Sequence, residues 1–307
     1  MRRRGVRGWA AKRRRRWSAV DQRGPVVQGA LLRRKLVELR RRRDLTQGEV
    51  AGRLEWHPSK LIRIEGGRTA VSRVDLDALM RLYGVTDSAD MEKLHLLNQE
   101  ARAKGWWSDF KNEVSNAYLT YIGFEAGASV IKQFQPLAIP GLLQTPEYAE
   151  SLCRTVGDSS DLGHLIRLRM VRQENLRRRS SPPDETFVLD EAAIRRHVGI
   201  RHDRSIMPAQ LRHVIETVEC NDKISLRIVP FAAGSHAGMY RGAFTLLSFD
   251  NGLGDILHRE NGDIQETLTG EDSRIPAFRN DFESLLKEAL DTGESLALIA
   301  QVAESMA

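Results

Sequence analysis

Residues 45–67, LTQGEVAGRLEWHPSKLIRIEGG, limit the fold of this chain more than any other stretch. Thr46 is followed three positions later by Glu49, the spacing of a capping box that opens a helix. Val50, Ala51 and Leu54 then repeat at helical spacing and supply one apolar face. The pattern breaks at Glu55-Trp56-His57, and Pro58 restarts it as a first helical residue, where a missing N–H costs nothing. Leu61 and Ile64 point inward, while Ser59, Lys60 and Arg63 point outward. Gly66-Gly67 ends the second helix, because glycine accepts a left-handed backbone. Two short helices, a tight turn and an outward cationic face make the shape that enters a DNA major groove. A helical hairpin with a solvated face would share the polar side alone. The agreement of cap, turn, proline start, glycine stop and basic face points to DNA.

Helical signals continue on both sides. Residues 26–43 space Val27, Leu31, Leu32, Leu36 and Leu39 as one buried stripe. Ser72 with Asp75 caps a fourth helix and Asp87 or Ser88 a fifth, which ends at Gly105. Five helices in residues 25–105 form one all-α domain. Residues 1–105 hold 26 Lys and Arg against 12 Asp and Glu, a balance of +14; the remainder holds 21 against 29, a balance of −8. A basic front and an acidic back imply different partners. Residues 1–24 form a basic arm too densely charged to pack, and disorder is expected there. The arm reads either as extra phosphate contacts or as the product of a translation start placed upstream of the true one, and the residues leave both open.

Gln47, Ala51, Pro58-Ser59-Lys60, Arg63-Ile64-Glu65 and Gly67 resemble the five-helix, lambda-repressor-like DNA-binding domain of the Xre family. The resemblance implies that Gln47 touches phosphate, that Ser59, Lys60 and Arg63 read bases, and that Arg68 in the following loop contacts the backbone. Thr46 and Arg73, at two helix starts, join the phosphate set. Relatives often carry a polar side chain where Pro58 stands, so reading leans on the residues after it. Ile62 could meet a thymine methyl; partial burial is the plainer expectation.

Residues 106–307 change character. Trp106-Trp107 begin the region, and a helix is read from Tyr118 to about Phe134. Thr145-Pro146 opens another by the cap-then-proline rule, and residues 162–179 read as an exposed basic helix. Strands are expected at 185–189, 225–229, 243–249 and 255–258, with helices at 191–198, 208–219, 275–291 and 295–306. The reading is an α+β domain with a small sheet packed on helices. PGLLQTPEYA, FVLDEAAIRRHVG, SLRIVPFAAGSHAG and GAFTLLSF resemble the C-terminal, DUF5753-like domain of actinobacterial Scr1-type antitoxin-like regulators. That resemblance implies a small protein partner. Its candidate contact surface is the Gly-rich segment with Gly234, Ser235, His236, Gly238 and Met239.

Chemistry beyond binding is hard to find. There is no Gly-rich phosphate loop, GxSxG or HExxH. Ser235-His236 invites a nucleophile–base reading, but neighbours in a loop seldom face each other and no orienting acid is identifiable. Asp190-Glu191 reads as a helix cap. His197, His202 and His213 read as surface residues, and Cys153 and Cys220 as reduced thiols. No apolar run approaches the ~20 residues of a membrane span. The expectation is a cytoplasmic, nucleoid-associated regulator, a homodimer on double-stranded DNA, with no catalytic residues, metal or cofactor. The alternatives are a small-molecule-sensing transcription factor and a DNA-tethered enzyme.

Overall fold

The computed structural model describes residues 24–154, 162–261, 264–269 and 272–306. The basic arm lies outside them except for Gly24. Five helices form the head: α1 (Gly24–Arg42), α2 (Gln47–Arg53), α3 (Pro58–Glu65), α4 (Arg73–Tyr83) and α5 (Ser88–Ala101). The starts of α2, α4 and α5 carry the expected local chemistry. Thr46 and Glu49 close a reciprocal capping box, Ser72 accepts from Asp75 N, and Asp87 accepts from Asp90 N. Leu32, Leu36, Val50, Leu61, Ile64, Leu76, Leu79 and Met80 fill the core between these helices.

The body is built on a six-stranded mixed sheet. Its strands are β1 (Val130–Gln135), β2 (Asp184–Asp190), β3 (Ile224–Val229), β4 (Ala243–Ser248), β5 (Ile256–Asn261) and β6 (Ile264–Leu268), in the order β3-β2-β1-β4-β5-β6. β1, β2 and β3 run parallel, and the other pairs are antiparallel. Alternation along each strand divides the apolar residues between two layers. Ile131, Phe187, Leu189, Leu226, Ile228, Leu247 and Ile256 face helices α6 (Asn116–Glu125), α10 (Ile206–Glu219) and α13 (Thr292–Ser305). Phe134, Val188, Val229, Phe244, Leu246 and Leu257 face α12 (Ile275–Glu288), whose Phe278 and Phe282 pack edge-on against Phe244. The remaining helices, α7 (Pro146–Cys153), α8 (Leu162–Arg177), α9 (Glu191–Arg195) and α11 (Ala237–Arg241), border these layers.

Three expectations need correction. Residues 130–134 are strand, not the tail of a helix, which ends at Glu125. β1 is central and covered on both faces, so Ile131 and Phe134 serve different layers. Their spacing of three mimics a helical stripe. β6, IQETL, was not anticipated, because this polar edge strand lacks a clear apolar alternation. Finally, α8 is not simply a solvated basic helix: Arg172 lies on its buried stripe between Leu168 and Leu176.

The stripe of α1 serves two cores. Leu32 and Leu36 belong to the head, whereas Val27 and Ala30 pack in the body with Trp107, Tyr121 and Ile122. The crossing with α6 is made at Gly123, where a Cβ would lie 2.3 Å from Val26 Cγ2 and 3.0 Å from the Trp107 ring. Gly123→Ala should therefore destabilise the full chain by roughly 1–3 kcal/mol, the usual cost of overpacking. Val26→Ala in the same chain should recover part of that loss through direct coupling. Urea unfolding of the two single variants and the double variant measures it; an additive double variant would show that the helices do not meet there.

Candidate nucleic-acid interface

The helix-turn-helix is held by one buried acid. Glu65, in the last turn of α3, accepts from Arg40 Nε at 2.8 Å and Arg40 Nη2 at 2.9 Å. It also accepts from Gln47 Nε2 at 2.7 Å. Arg40 in turn donates to the Leu45 carbonyl at 2.8 Å. One bidentate ion pair, nearly closed to solvent, thus fastens α1, α2 and α3. Such fork-shaped pairs fix geometry as well as adding energy. Between α2 and α3 the chain turns through Glu55 in the left-handed region, φ 54°. His57 then caps α3: its Nδ1 accepts from Ser59 N at 3.3 Å and lies 2.8 Å from Ser59 Oγ.

The candidate DNA contacts occupy unequal positions. Arg63, Arg68 and Arg73 are exposed, and their side chains make no hydrogen bond or ion pair to described residues. Ser59 is partly exposed with its hydroxyl turned toward His57. Lys60 is half-exposed and already engaged: its Nζ donates to Asp75 Oδ1 at 2.6 Å and lies 4.0 Å over the Trp56 ring. Ile62 is 50% exposed, so it is less covered than the sequence reading assumed. Gln47 spends one amide hydrogen on Glu65 and keeps the other. Thr46 is exposed but committed to Glu49, whose carboxyl is held below its usual range by the Thr46 N–H and hydroxyl.

The Gly-rich segment of the body divides similarly. His236 is almost wholly buried, with Nε2 2.8 Å from Asp190 Oδ2, while the other Asp190 oxygen caps α9 through Ala192 N at 2.7 Å. Asp190 is thus the orienting acid that the sequence did not reveal. His236 Nδ1 is buried without a partner, so no bond reaches Ser235. Gly238 passes under Phe134, where a Cβ would lie 2.2 Å from the ring. Gly234 and Ser235 are exposed, and Met239 is 70% exposed. Three further exposed apolar side chains stand at the same end of the sheet. Leu137 follows β1, Phe231 follows β3, and Tyr240, 90% exposed, precedes β4. Sequence reading missed them; Pro136-Leu137 and Pro230-Phe231, hydrophobes just past strand-ending prolines, were the available signal.

A second polar cluster lies inside the body. Arg172 donates to both oxygens of Glu125, at 2.9 and 2.6 Å, and to Tyr118 Oη at 2.5 Å. Tyr121 donates to Glu125 at 2.7 Å and stacks on His258, with ring centres 3.9 Å apart. Burial drives the Tyr121 hydroxyl well above its ordinary range, and the Glu125 charge reinforces it. The cluster joins α6, α8 and β5. Among the described residues, no group of three or more His, Cys, Asp or Glu side chains is arranged to hold a metal ion. Among the same residues, no helix is long and apolar enough to cross a membrane.

A family model described as a helix-turn-helix domain matches residues 31–94. A second, described as a domain of unknown function (DUF5753), matches residues 118–301. No curated protein and no solved structure matches the chain.

The Lys60 geometry predicts a stability effect with a defined pH dependence. Burial alone would raise the Asp75 carboxyl, but hydrogen bonds from Lys60 and Ser72 outweigh it and hold it below its ordinary value. A depressed carboxyl stabilises the fold above its unfolded value, about 3.9, and loses that contribution as pH falls through the folded value. Lys60→Met should cost about 1 kcal/mol at pH 7, from a partly exposed ion pair and a cation–ring contact. The difference from the wild type should shrink as pH falls through the depressed folded value and Asp75 takes up its proton. Equal stability of the two proteins at pH 7 would place Lys60 elsewhere.

Proposed function

The chain belongs to the DUF5753 family, here joined to a helix-turn-helix domain that supports a DNA-binding regulator, and from this we propose a sequence-specific transcription regulator of Xre type. The observation that carries the reading is the outer surface of α3. Ser59, Ile62 and Arg63 share its open side, Arg68 and Arg73 flank it, and none of the three arginines has a partner within the described protein. Unpaired guanidiniums around a short exposed helix match what a phosphate-lined groove requires. In this reading Arg63 reads a base, Ile62 is placed for a thymine methyl, and Arg68 and Arg73 hold phosphates. Gln47 and Thr46 present the start of α2 to the backbone. Lys60 acts mainly by bracing α3 against α4, since its ammonium is already engaged.

One recognition helix covers too few base pairs for a genomic search, so the regulator works as a two-fold dimer on paired half-sites. The dimer contact is assigned to residues 106–307. The same region is assigned a small protein partner, of the antitoxin type that the sequence resemblance suggests. Exposed Phe231, Met239 and Tyr240, with Leu137 at the same end of the sheet, support that assignment, because aromatic residues and Met are enriched at protein interfaces. His236 and Gly238 hold this surface in place rather than forming it. The reading is one of binding rather than catalysis: the histidine beside Ser235 is locked onto Asp190 and its second nitrogen is buried.

Arg63→Ala should cost roughly 1–3 kcal/mol of discrimination at one base position and change stability by no more than about 0.5 kcal/mol. Quantitative gel shifts on a selected operator, paired with urea unfolding, check both numbers. Unaltered affinity and selectivity would remove Arg63 from the reading set. For the partner surface, Met239→Asp in the full chain should abolish co-purification of a host protein while leaving DNA binding intact.

A further inference from the structure

The cap of α3 settles where one proton lies. His57 precedes the helix in extended conformation, at φ −63° and ψ 133°. Pro58 follows, with no N–H of its own to compete for the cap. The first N–H of α3 is therefore that of Ser59, and His57 Nδ1 accepts it at 3.3 Å. A ring nitrogen that accepts carries no hydrogen, so in the neutral imidazole the proton sits on Nε2. Ser59 Oγ lies 2.8 Å from the same Nδ1, an ordinary hydrogen-bond length. With none on Nδ1, the hydrogen in that contact is the hydroxyl's. Ser59 O–H thus donates to His57.

A serine hydroxyl has one donor and two lone pairs, and it rotates to suit its partner. At Ser59 the donor is spent, so lone pairs alone remain for anything outside. This matters because the rest of the outer face of α3 offers no acceptor. Arg63, four positions on and on the same face, has donors only. Ile62 presents an aliphatic surface, half exposed. The Lys60 ammonium is engaged by Asp75 and Trp56. The Glu65 carboxylate is covered by Arg40 and Gln47. On the major-groove edge, adenine N6 and cytosine N4 are amino donors, whereas guanine N7 and O6, adenine N7 and thymine O4 are acceptors. A lone pair closes a hydrogen bond with an amino group. Set against an acceptor, it leaves both groups unpaired.

We propose that His57 is a specificity-determining residue: by holding the Ser59 proton it makes Ser59 an acceptor-only reader, matched to an exocyclic amino group, adenine N6 or cytosine N4. His57 acts here through Ser59, as a positioning residue. The inference rests on the reading of α3 as a DNA recognition helix, and goes further by naming the chemical group that one of its side chains selects.

Binding-site selection with the full chain supplies the operator, and the same selection with Ser59→Ala identifies the base pair whose preference is relaxed. At that pair the amino group is deleted chemically, with unsubstituted purine in place of adenine or 2-pyrimidinone in place of cytosine. Wild-type affinity, read by fluorescence anisotropy, should fall about fivefold or more, the loss of one hydrogen bond. Ser59→Ala should bind the altered and unaltered duplexes equally. Inverting the pair, with uracil for any thymine so that no methyl moves, sets an acceptor where the amino group stood. The wild type should reject the inverted pair about tenfold or more. His57→Gly keeps a tolerated cap backbone and frees the hydroxyl to donate, so it should bind both orientations within about threefold. Should His57→Gly fail to fold, amino deletion in the wild type and Ser59→Ala decides. Three results would overturn the inference while leaving DNA binding in place: wild-type affinity unchanged by amino deletion, no pair relaxed by Ser59→Ala, or equal rejection of the inverted pair by wild type and His57→Gly. A selection that enriches no duplex would count against the regulator reading itself and remove this inference with it.

Discussion

The packing of α1 against α6 governs the arrangement of this protein. Val26 sits over Gly123 with room for a hydrogen and nothing larger, and Trp107 closes the same contact. From that crossing onward, one helix belongs to two cores: Val27 and Ala30 to the body, Leu32 and Leu36 to the head. A helix is stiff over its length, so the head is not carried on a loose tether. Close packing of this kind transmits displacement instead of absorbing it.

The connection extends to the recognition helix. Arg40 lies near the far end of α1 and grips Glu65 in the last turn of α3 through both carboxylate oxygens. Gln47 adds the start of α2 to the same acid. A continuous path therefore runs from α6 through Gly123, Val26 and Arg40 to Glu65. The polar end of this path is sensitive to loss of either partner. Removing one member of a buried ion pair leaves an uncompensated charge, at a cost of several kcal/mol. Arg172 and Glu125 play the matching role in the body, where they join α6 and α8. Any molecule bound in the body can influence the head only by preferring one arrangement of the α1–α6 crossing over another.

Local signals in the sequence were read well because their physics is local. Thr46 with Glu49, Ser72 with Asp75, Pro58 as a first helical residue and Asp190 as a cap all depend on neighbours within a few positions. What escaped were features decided at a distance. β1 looked helical because its two faces serve different layers. The Arg172 position on the Leu168–Leu176 stripe was visible, but its partner Glu125 is 47 residues away. Lys60 had the spacing of an outward residue; Asp75, 15 positions on, and the Trp56 ring redirect it. The five hydrophobes of α1 read as one stripe, and nothing in the spacing divides them between two cores. At the sheet end, the Gly-rich segment drew attention through Gly234 and His236. The more exposed side chains there, Tyr240 and Phe231, lie beside it and carry no motif.

The central claim is that α1 makes head and body one cooperative unit. Differential scanning calorimetry of the full chain, with hydrogen exchange followed along α1, tests it most directly. The account predicts a single transition whose calorimetric and van't Hoff enthalpies agree. Amides near Val27 and near Leu36 should exchange together, at the rate of global unfolding. Two resolved transitions, with the Leu36 end of α1 exchanging alongside the head while the Val27 end stays protected, would contradict it.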